Sequence, residues 1–281
     1  MVGFVGQGLV VRDGRLRGIG LVRSRRSHGG RYGNVRISRS RPVRACVEAT
    51  VDDESTSIVE RERNKLPMPT FMFVLPQYAI NDMPTTLKMI AAAIEGGVNV
   101  VQIREIMDNY ETLESAVKTI VEKFPDVTVL VNSNIGVASQ FEGVGLHLPE
   151  DLCKFHSIAR EKTSDKKTIG SSVHSVPAAE RADENGADYL LVGTMFESES
   201  HPGKSPEGIL MLKMVGRALN SSLPMIAVGG ITPENVSTVI EAGASGIAVM
   251  RGISGAEDAE DAARAYKEAL EHSWREMKRN A

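Results

Sequence analysis

The chain has 281 residues, 42% of them hydrophobic, and a formal net charge of −3. This length and composition suit one large globular domain or two small ones. No apolar run approaches the roughly 18 residues of a membrane span, so no membrane partner is expected. With two cysteines the sequence has neither a disulfide framework nor a cysteine-rich metal site.

Positive charge is concentrated at the N-terminus. The first 44 residues contain eleven arginines, no lysine and one acid, which gives them a charge of +10 and leaves −13 on the remainder. An arginine- and serine-bearing, acid-poor start is typical of an organelle transit peptide. We predict a transit peptide over residues 1–46, a charged linker over 47–67 and a globular domain over 68–275. A plastid is the expected location, with a mitochondrion as the alternative.

A second interpretation of the basic segment is a disordered arm that binds nucleic acid or a membrane. The rest of the chain is acidic and has no obvious basic stripe. We therefore expect no nucleic-acid partner.

Strand-like and helix-like segments alternate from Phe71 onward. Short apolar runs predict eight strands, at 71–75, 99–105, 127–131, 144–148, 168–173, 189–196, 224–228 and 246–250. Helical patterns follow them at 85–95, 110–124, 134–141, 151–160, 176–184, 209–218, from Thr232 onward, and at 259–277. Strict alternation predicts a parallel sheet, and eight units predict a closed (β/α)₈ TIM barrel. A doubly wound open sheet is disfavoured because no Gly-x-Gly-x-x-Gly follows the first strand.

Polar side chains and exposed backbone amides gather where these strands end, which is where such barrels carry their chemistry. They are Gln102, Arg104, Asn132, His147, Asp151, Ser172, His174, Ser198, Ser200, His201, Gly229, Gly230, Met250 and Arg251. Amide, hydroxyl, guanidinium and imidazole groups together suit a small phosphorylated substrate.

The last two strands end in features of a phosphate site. Gly229 and Gly230 let a ligand approach the backbone closely, and amide groups at the start of a helix favour an anion. Met250 and Arg251 occupy the equivalent place after the eighth strand. The alternative is that the two glycines only form a tight turn.

Seven segments carry a resemblance to a known family. VQIRE, LVNSNIGVA, GVGLHLPEDL, GSSVHS, ADYLLVGTMFESESHPG, PMIAVGGITPENV and AGASGIAVMRGI resemble, in order, the thiamine phosphate synthase/TenI family over about residues 70–272. The resemblance implies a (β/α)₈ barrel that handles a thiazole phosphate in thiamine biosynthesis. One branch joins a pyrimidine pyrophosphate to the thiazole phosphate and releases pyrophosphate, whereas the TenI branch is a thiazole tautomerase.

The sequence departs from the synthase pattern at charged positions. Ile106 and His201 stand where the synthases have lysine, although Lys204 lies close to the second position. Ser133 replaces one magnesium aspartate, and Asp151 is a candidate for the other in a shortened segment. A departing pyrophosphate needs cations to neutralise it, so these changes disfavour the synthase.

The resemblance to TenI places its catalytic histidine at His174. Histidine has an ordinary pKa of about 6.5, which suits a group that takes and returns a proton. We therefore expect a thiazole tautomerase that isomerises a carboxythiazole phosphate without a metal or other cofactor, in a chain that can form a homo-oligomer. The alternative for His174 is a structural histidine bonded to a loop carbonyl.

The site residues that the resemblance implies fall into two groups. We expect substrate contacts from Gln102, Arg104, Asn132, Ser172, Ser198, Ser200 and His201, and phosphate contacts from Gly229, Gly230, Met250 and Arg251. His147 is interpreted as a packing or hydrogen-bonding residue, and His156 as incidental. Two alternatives remain open: a synthase with Mg²⁺ at Asp151, and a non-catalytic binder of thiazole or thiamine phosphate.

Overall fold

The protein was analysed as a computed structural model that describes residues 66–77, 79–104, 110–163, 167–197, 206–220 and 223–280. The predicted transit peptide and all but the last two linker residues lie outside this part of the chain. Leu66, at the end of the predicted linker, is buried inside the barrel. Among the described residues, no helix combines the length and the apolar character needed to cross a membrane.

Eight parallel strands close into a barrel in chain order, and the first pairs with the last. They are β1 (Thr70–Val74), β2 (Val100–Ile103), β3 (Thr128–Asn132), β4 (Gly145–Leu148), β5 (Ile169–Val173), β6 (Tyr189–Gly193), β7 (Met225–Val228) and β8 (Gly246–Val249). The predicted TIM barrel is therefore confirmed. Nearly every strand residue is buried, because helices cover one face of the sheet and the barrel interior covers the other.

Helices surround this barrel. They are α1 (Met83–Glu95), α2 (Tyr110–Lys123), α3 (Ile135–Gln140), α4 (His156–Thr163), α5 (Val176–Glu184), α6 (Gly208–Ala218), α7 (Val236–Glu241), α8 (Arg251–Ser254) and α9 (Ala259–Asn280). Short 3₁₀ helices occur at Ala79–Asn81, Glu150–Phe155 and Pro233–Asn235.

Two predicted elements differ from the structure. The helix expected at 151–160 is a 3₁₀ helix at Glu150–Phe155 followed by α4, an arrangement common at helix starts. The strand expected at 189–196 ends at Gly193, where the amide of Thr194 donates to the Glu207 carboxylate; backbone bonding to the β7 side resumes one residue out of step, from Met195 to the Val228 carbonyl.

Two apolar layers hold the barrel together. The outer layer packs strand residues such as Phe71 and Leu190 against the helices, whereas the inner layer fills the barrel with Met72, Leu130 and Tyr189, among others. Gly170 makes room for the largest of these. A β-carbon there would lie 2.1 Å from the ring of Tyr189, so glycine permits the aromatic ring at this level.

Side-chain caps fix the loops at the ends of two strands. Asn134 accepts a hydrogen bond from the Val137 amide at 2.9 Å and begins α3 directly after β3. Ser175 does the same for α5 after β5, through the Ala178 amide. These caps leave the side chains just before them at the open end of the barrel.

Candidate functional site

A cavity of about 920 Å³ opens at the carboxyl ends of β2 to β5. Four residues predicted to bind or transform the substrate line it together: Arg104, Asn132, Ser172 and His174. The polar wall also contains Ser133, Glu150, Asp151, Lys154, Arg181 and Asn185. The structure thus brings one part of the predicted site into a single pocket.

The floor of the cavity continues into a polar chain inside the barrel. Ser172 Oγ lies 2.8 Å from Nε2 of His147, and Nδ1 of that histidine lies 2.9 Å from the Tyr189 hydroxyl. Burial, and to a lesser extent His156, lowers the pKa of His147 to about 3, so this imidazole is neutral. Burial also raises the pKa of Tyr189, which keeps its phenol protonated. The prediction that His147 is a hydrogen-bonding residue is confirmed.

His156 forms a similar pair on the other face of β5. Its Nε2 lies 2.9 Å from Ser171 Oγ, and both residues are completely buried. His156, interpreted as incidental to the site, lies outside the cavity and joins α4 to the barrel wall. Helical periodicity at 156, 159 and 163 is the sequence signal for this buried position.

His174 is held at two points on the rim of the cavity. Its backbone amide donates to Glu150 Oε2 at 2.7 Å, and Nδ1 contacts the carbonyl oxygen of Gly193. A carboxylate oxygen of Glu207 lies 3.5 Å from the same Nδ1. With Nδ1 turned toward two oxygens, Nε2 is the nitrogen left to exchange protons with a ligand. The side chain is 45% exposed, which gives a ligand access to it.

Glu207 was not identified from the sequence. Its carboxylate bonds the Thr194 amide and lies beside His174, so it ties the end of β6 to the histidine. The only sequence signal was an acid at the start of a helix, which is too common to single out a site residue.

The end of β3 has an unusual backbone. Ser133 adopts a φ of 63°, a left-handed conformation that is uncommon outside glycine and is more often adopted by asparagine and aspartate. Asn132 Nδ2 donates to Ser133 Oγ at 2.9 Å. Both polar side chains line the cavity.

The oxygen donors in this cavity suit a magnesium ion only when a bound ligand supplies further oxygen atoms to the same ion. Asp151, Asn132 and Ser133 offer a carboxylate, an amide and a hydroxyl, which are hard donors of the kind that Mg²⁺ takes. Within the described ranges no three acidic, histidine or cysteine side chains cluster as a metal site. Mg²⁺ commonly binds through one or two carboxylates plus substrate phosphates, and the donor set matches that case.

Two cations in the cavity wall were also missed. Lys154 lies in the 3₁₀ helix after β4, and Arg181 lies in α5 after β5. Neither belongs to a strand end, which is where the sequence was searched for site residues. Together with Arg104 they give the cavity three positively charged groups.

The four residues predicted to bind phosphate lie outside this cavity, after β7 and β8. Gly229 and Gly230 have φ values of 98° and 64°. A β-carbon at Gly229 would lie 2.4 Å from the Thr194 side chain, and one at Gly230 would lie 2.4 Å from the Glu197 carbonyl oxygen, both in the segment after β6. Close packing thus explains both glycines without a ligand. Met250 and Arg251 lie at the start of α8, and the phosphate assignment of all four stays a prediction.

The remaining predicted residues divide into two cases. Gln102 is 2% exposed within β2 and does not line the cavity. Ser198, Ser200 and His201 lie outside the described residues, as do Ile106 and Lys204.

Comparisons with known proteins agree with one another. The family model described as thiamine monophosphate synthase matches residues 71–253. A thiamine-phosphate synthase of Natronomonas pharaonis is 34% identical over 194 residues, which cover 66% of this chain and 88% of the relative. One from Haloarcula marismortui is 35% identical over 208 residues, covering 71% and 96%. The solved thiamine phosphate pyrophosphorylase of Pyrococcus furiosus has a TM-score of 0.59 and 26% identity, and the match covers 75% of this chain and 98% of that structure.

Proposed function

Because this chain belongs to the thiamine phosphate synthase/TenI family, we propose that it is a thiamine phosphate synthase that joins a pyrimidine pyrophosphate to a thiazole phosphate. This reverses the order of the two activities expected from the sequence. The two sequence relatives compared above are named thiamine-phosphate synthases and the solved structure is named a thiamine phosphate pyrophosphorylase, so the tautomerase gains no support from these names.

The observation that carries the proposal is the charge of the cavity. In this transfer the thiazole nitrogen forms a bond to the pyrimidine methylene carbon, the bond from that carbon to a pyrophosphate oxygen breaks, and negative charge collects on the departing pyrophosphate. Arg104, Lys154 and Arg181 line the cavity in which that charge would develop. Groups placed to meet developing charge lower the barrier. Lys154 and Arg181 supply positive charge in place of the lysines lost at Ile106 and His201, and together with Arg104 they outnumber the Glu150 and Asp151 carboxylates of the same cavity.

Hydrogen bonding and metal binding add to this effect. The Ser172 hydroxyl is within the same cavity and can donate to a pyrophosphate oxygen. Asp151, Asn132 and Ser133 are the residues that would hold Mg²⁺. When bound, that ion neutralises part of the pyrophosphate charge.

The test supplies the full-length protein with the pyrimidine pyrophosphate, the thiazole phosphate and MgCl₂. We expect release of pyrophosphate together with thiamine phosphate, and loss of both products when the metal is chelated. Pyrophosphate release that does not need the thiazole phosphate would contradict the proposal.

Variants of the cavity wall sharpen this test. Arg181→Met and Lys154→Met should each lower the rate by about tenfold, since exposed charges are partly screened. Lys213→Met is the matched control, because Lys213 is an exposed lysine on α6 that does not line this cavity. Ser133→Asp restores the second carboxylate on a backbone that suits aspartate, and should reduce the Mg²⁺ concentration needed for half-maximal rate.

A thiazole tautomerase is the second candidate, and the geometry of His174 favours it. Nδ1 is turned toward the Gly193 carbonyl and Glu207, which leaves Nε2 to move a proton on a carboxythiazole phosphate. Formation of the aromatic product, abolished in His174→Ala, would identify this activity. Tight binding of thiazole phosphate with neither reaction would instead identify a non-catalytic binder.

The plastid location is also a proposal. The arginine-rich, acid-poor composition of residues 1–46 supports it. Fusing this segment to a fluorescent protein should direct the fusion to plastids. Cytosolic fluorescence would contradict the proposal, and mitochondrial fluorescence would select the alternative.

A further inference from the structure

Three polar groups form a continuous hydrogen-bonded chain from the barrel interior to the cavity. The Tyr189 hydroxyl, the His147 ring and Ser172 Oγ are joined by contacts of 2.9 and 2.8 Å. Tyr189 is completely buried and His147 is 1% exposed, whereas Ser172 lines the cavity. The proposed reaction uses only the serine directly, so the two buried groups need an explanation.

The direction of the hydrogen bonds follows from counting donors and acceptors. A neutral imidazole has one donor nitrogen and one acceptor nitrogen. Among the described residues, His147 Nδ1 is the only hydrogen-bond partner recorded for the Tyr189 hydroxyl. If Nδ1 donated, the buried phenol hydrogen would lack an acceptor, at a cost of about 1–3 kcal/mol. The phenol therefore donates to Nδ1, and the proton of the ring resides on Nε2.

This tautomer determines what Ser172 can do. Because Nε2–H donates to Ser172 Oγ, the hydrogen of that hydroxyl is not needed by the histidine. It is then directed into the cavity, toward the place of an anionic ligand. With the opposite tautomer, the Ser172 hydroxyl would donate its hydrogen to the histidine and could act toward a ligand only as an acceptor. A phosphate oxygen is also an acceptor, so the two could not form a hydrogen bond.

We propose that Tyr189 and His147 are positioning residues that hold the Ser172 hydroxyl as a hydrogen-bond donor to a pyrophosphate oxygen of the substrate. The proposal rests on the proposed synthase function for the identity of that ligand. The two buried residues orient the Ser172 hydroxyl and do not contact the ligand themselves.

Tyr189→Phe isolates this role. Phenylalanine keeps the ring that fills the space above Gly170 but removes the donor to Nδ1. No donor then holds the Nδ1 lone pair, so the ring proton divides between the two nitrogens, and in the molecules that carry it on Nδ1 the Ser172 hydroxyl turns its hydrogen to Nε2. Tyr189→Phe should thus weaken ligand binding by changing the hydrogen-bond directions of His147 and Ser172, although neither of these residues is substituted.

A double-mutant cycle on the full-length protein tests the coupling. We measure kcat/KM for thiamine phosphate formation and Kd for inorganic pyrophosphate with MgCl₂. Ser172→Ala should lower kcat/KM and raise Kd by about 10- to 100-fold each, the range for a hydrogen bond to a charged group. Tyr189→Phe should change both in the same directions by a smaller factor. Tyr189→Phe should have no further effect when Ser172 is already alanine. Independent, multiplying effects would overturn the proposal.

Ser171→Ala is the matched control. It breaks a buried serine–histidine contact of 2.9 Å on the same strand, but one that faces the helices. We expect kcat/KM and Kd within about twofold of the wild type, as for a substitution that does not reach the ligand. A loss as large as that of Ser172→Ala would mean that damage to β5, and not the hydroxyl, explains the effect.

Nitrogen-15 NMR of labelled histidine gives a readout that does not depend on turnover. We expect the His147 proton on Nε2 in the wild type and a shift of population toward Nδ1 in Tyr189→Phe. A wild-type proton on Nδ1 overturns the orientation. If the tautomer is as expected but the protein makes no thiamine phosphate, the synthase proposal fails, and the pyrophosphate affinities of the same variants still decide the role of Ser172.

Discussion

Strand β5 carries two neighbouring serine–histidine pairs that point in opposite directions. Ser172 faces the barrel interior and contacts His147 at 2.8 Å, whereas Ser171 faces the helices and contacts His156 at 2.9 Å. Both histidines are buried, so the contacts themselves hardly differ. The difference is access: Ser172 lines a cavity, and Ser171 is fully enclosed. Similar contacts therefore leave one hydroxyl open to the cavity and enclose the other in the packing between β5 and the helices.

The surroundings of the two pairs match this division. On the helix side, α4 also supplies Arg160, whose guanidinium bonds the buried Asp188 carboxylate. Inside the barrel the neighbours are Tyr189 and the space left by Gly170. We expect substitutions on the helix side to change stability, and substitutions beside the cavity to change ligand binding.

The largest expected effect on stability is on the helix side. Asp188→Ala removes the acceptor of the Ile169 amide at 2.7 Å and leaves the nearly buried Arg160 without its carboxylate. Breaking such a pair costs about 3–5 kcal/mol in the free energy of unfolding, to be measured by urea denaturation. Lys118→Ala, which breaks an exposed pair with Glu122, should cost less than about 0.5 kcal/mol. Equal losses in the two variants would contradict the assignment.

The next effect concerns the barrel interior. Gly170→Ala places a methyl group 2.1 Å from the Tyr189 ring, which must move away from His147. We expect a loss of about 2–3 kcal/mol together with weaker pyrophosphate binding. Gly143→Ala, where no atom lies within 4 Å but φ is 79°, should lower stability by only about 1–2 kcal/mol and leave binding unchanged. Unaltered pyrophosphate binding in Gly170→Ala would show that the position of Tyr189 does not affect the site.

A smaller effect on stability reverses the order of Ser172→Ala and Ser171→Ala that is expected for activity. Ser171→Ala leaves His156 Nε2 buried without its hydroxyl, and should cost about 1–3 kcal/mol. Ser172→Ala should cost less, because water in the cavity can replace the lost partner of His147. Thermal and urea unfolding of both variants check this prediction, and a larger loss for Ser172→Ala would refute the division between the two faces.

The smallest effect, taken per pH unit, is on the pH dependence of stability. The pKa of His147 is about 3 in the folded protein and about 6.5 when unfolded, so the unfolded state gains a proton first as the pH falls. Its contribution is complete above about pH 6.5 and is lost toward pH 3, by at most about 1.4 kcal/mol per pH unit. In His147→Gln the free energy of unfolding should fall less steeply as the pH decreases, as measured by urea midpoints between pH 7 and 4. The exposed His272→Gln should follow the wild type, and identical curves for all three proteins would refute the prediction.

The fold followed from the sequence because buried parallel strands are short apolar runs, and eight such runs alternated with helical patterns. The strand ends also located Arg104, Asn132, Ser172 and His174 in one cavity. Lys154, Arg181 and Glu207 were missed, since they lie on helices or in a loop and approach the cavity only through packing.

The sequence by itself determined the barrel, its family and the residues near the end of each strand, Ser172 among them, because these depend on local periodicity and order along the chain. Only the tertiary structure decided that Ser172 contacts His147 inside the barrel and that Ser171 contacts His156 on the helix side. Alternation along β5 separates the two hydroxyls, but their partners come from β4 and α4. Contacts between elements distant in sequence are set by barrel closure and helix packing, which no single segment encodes.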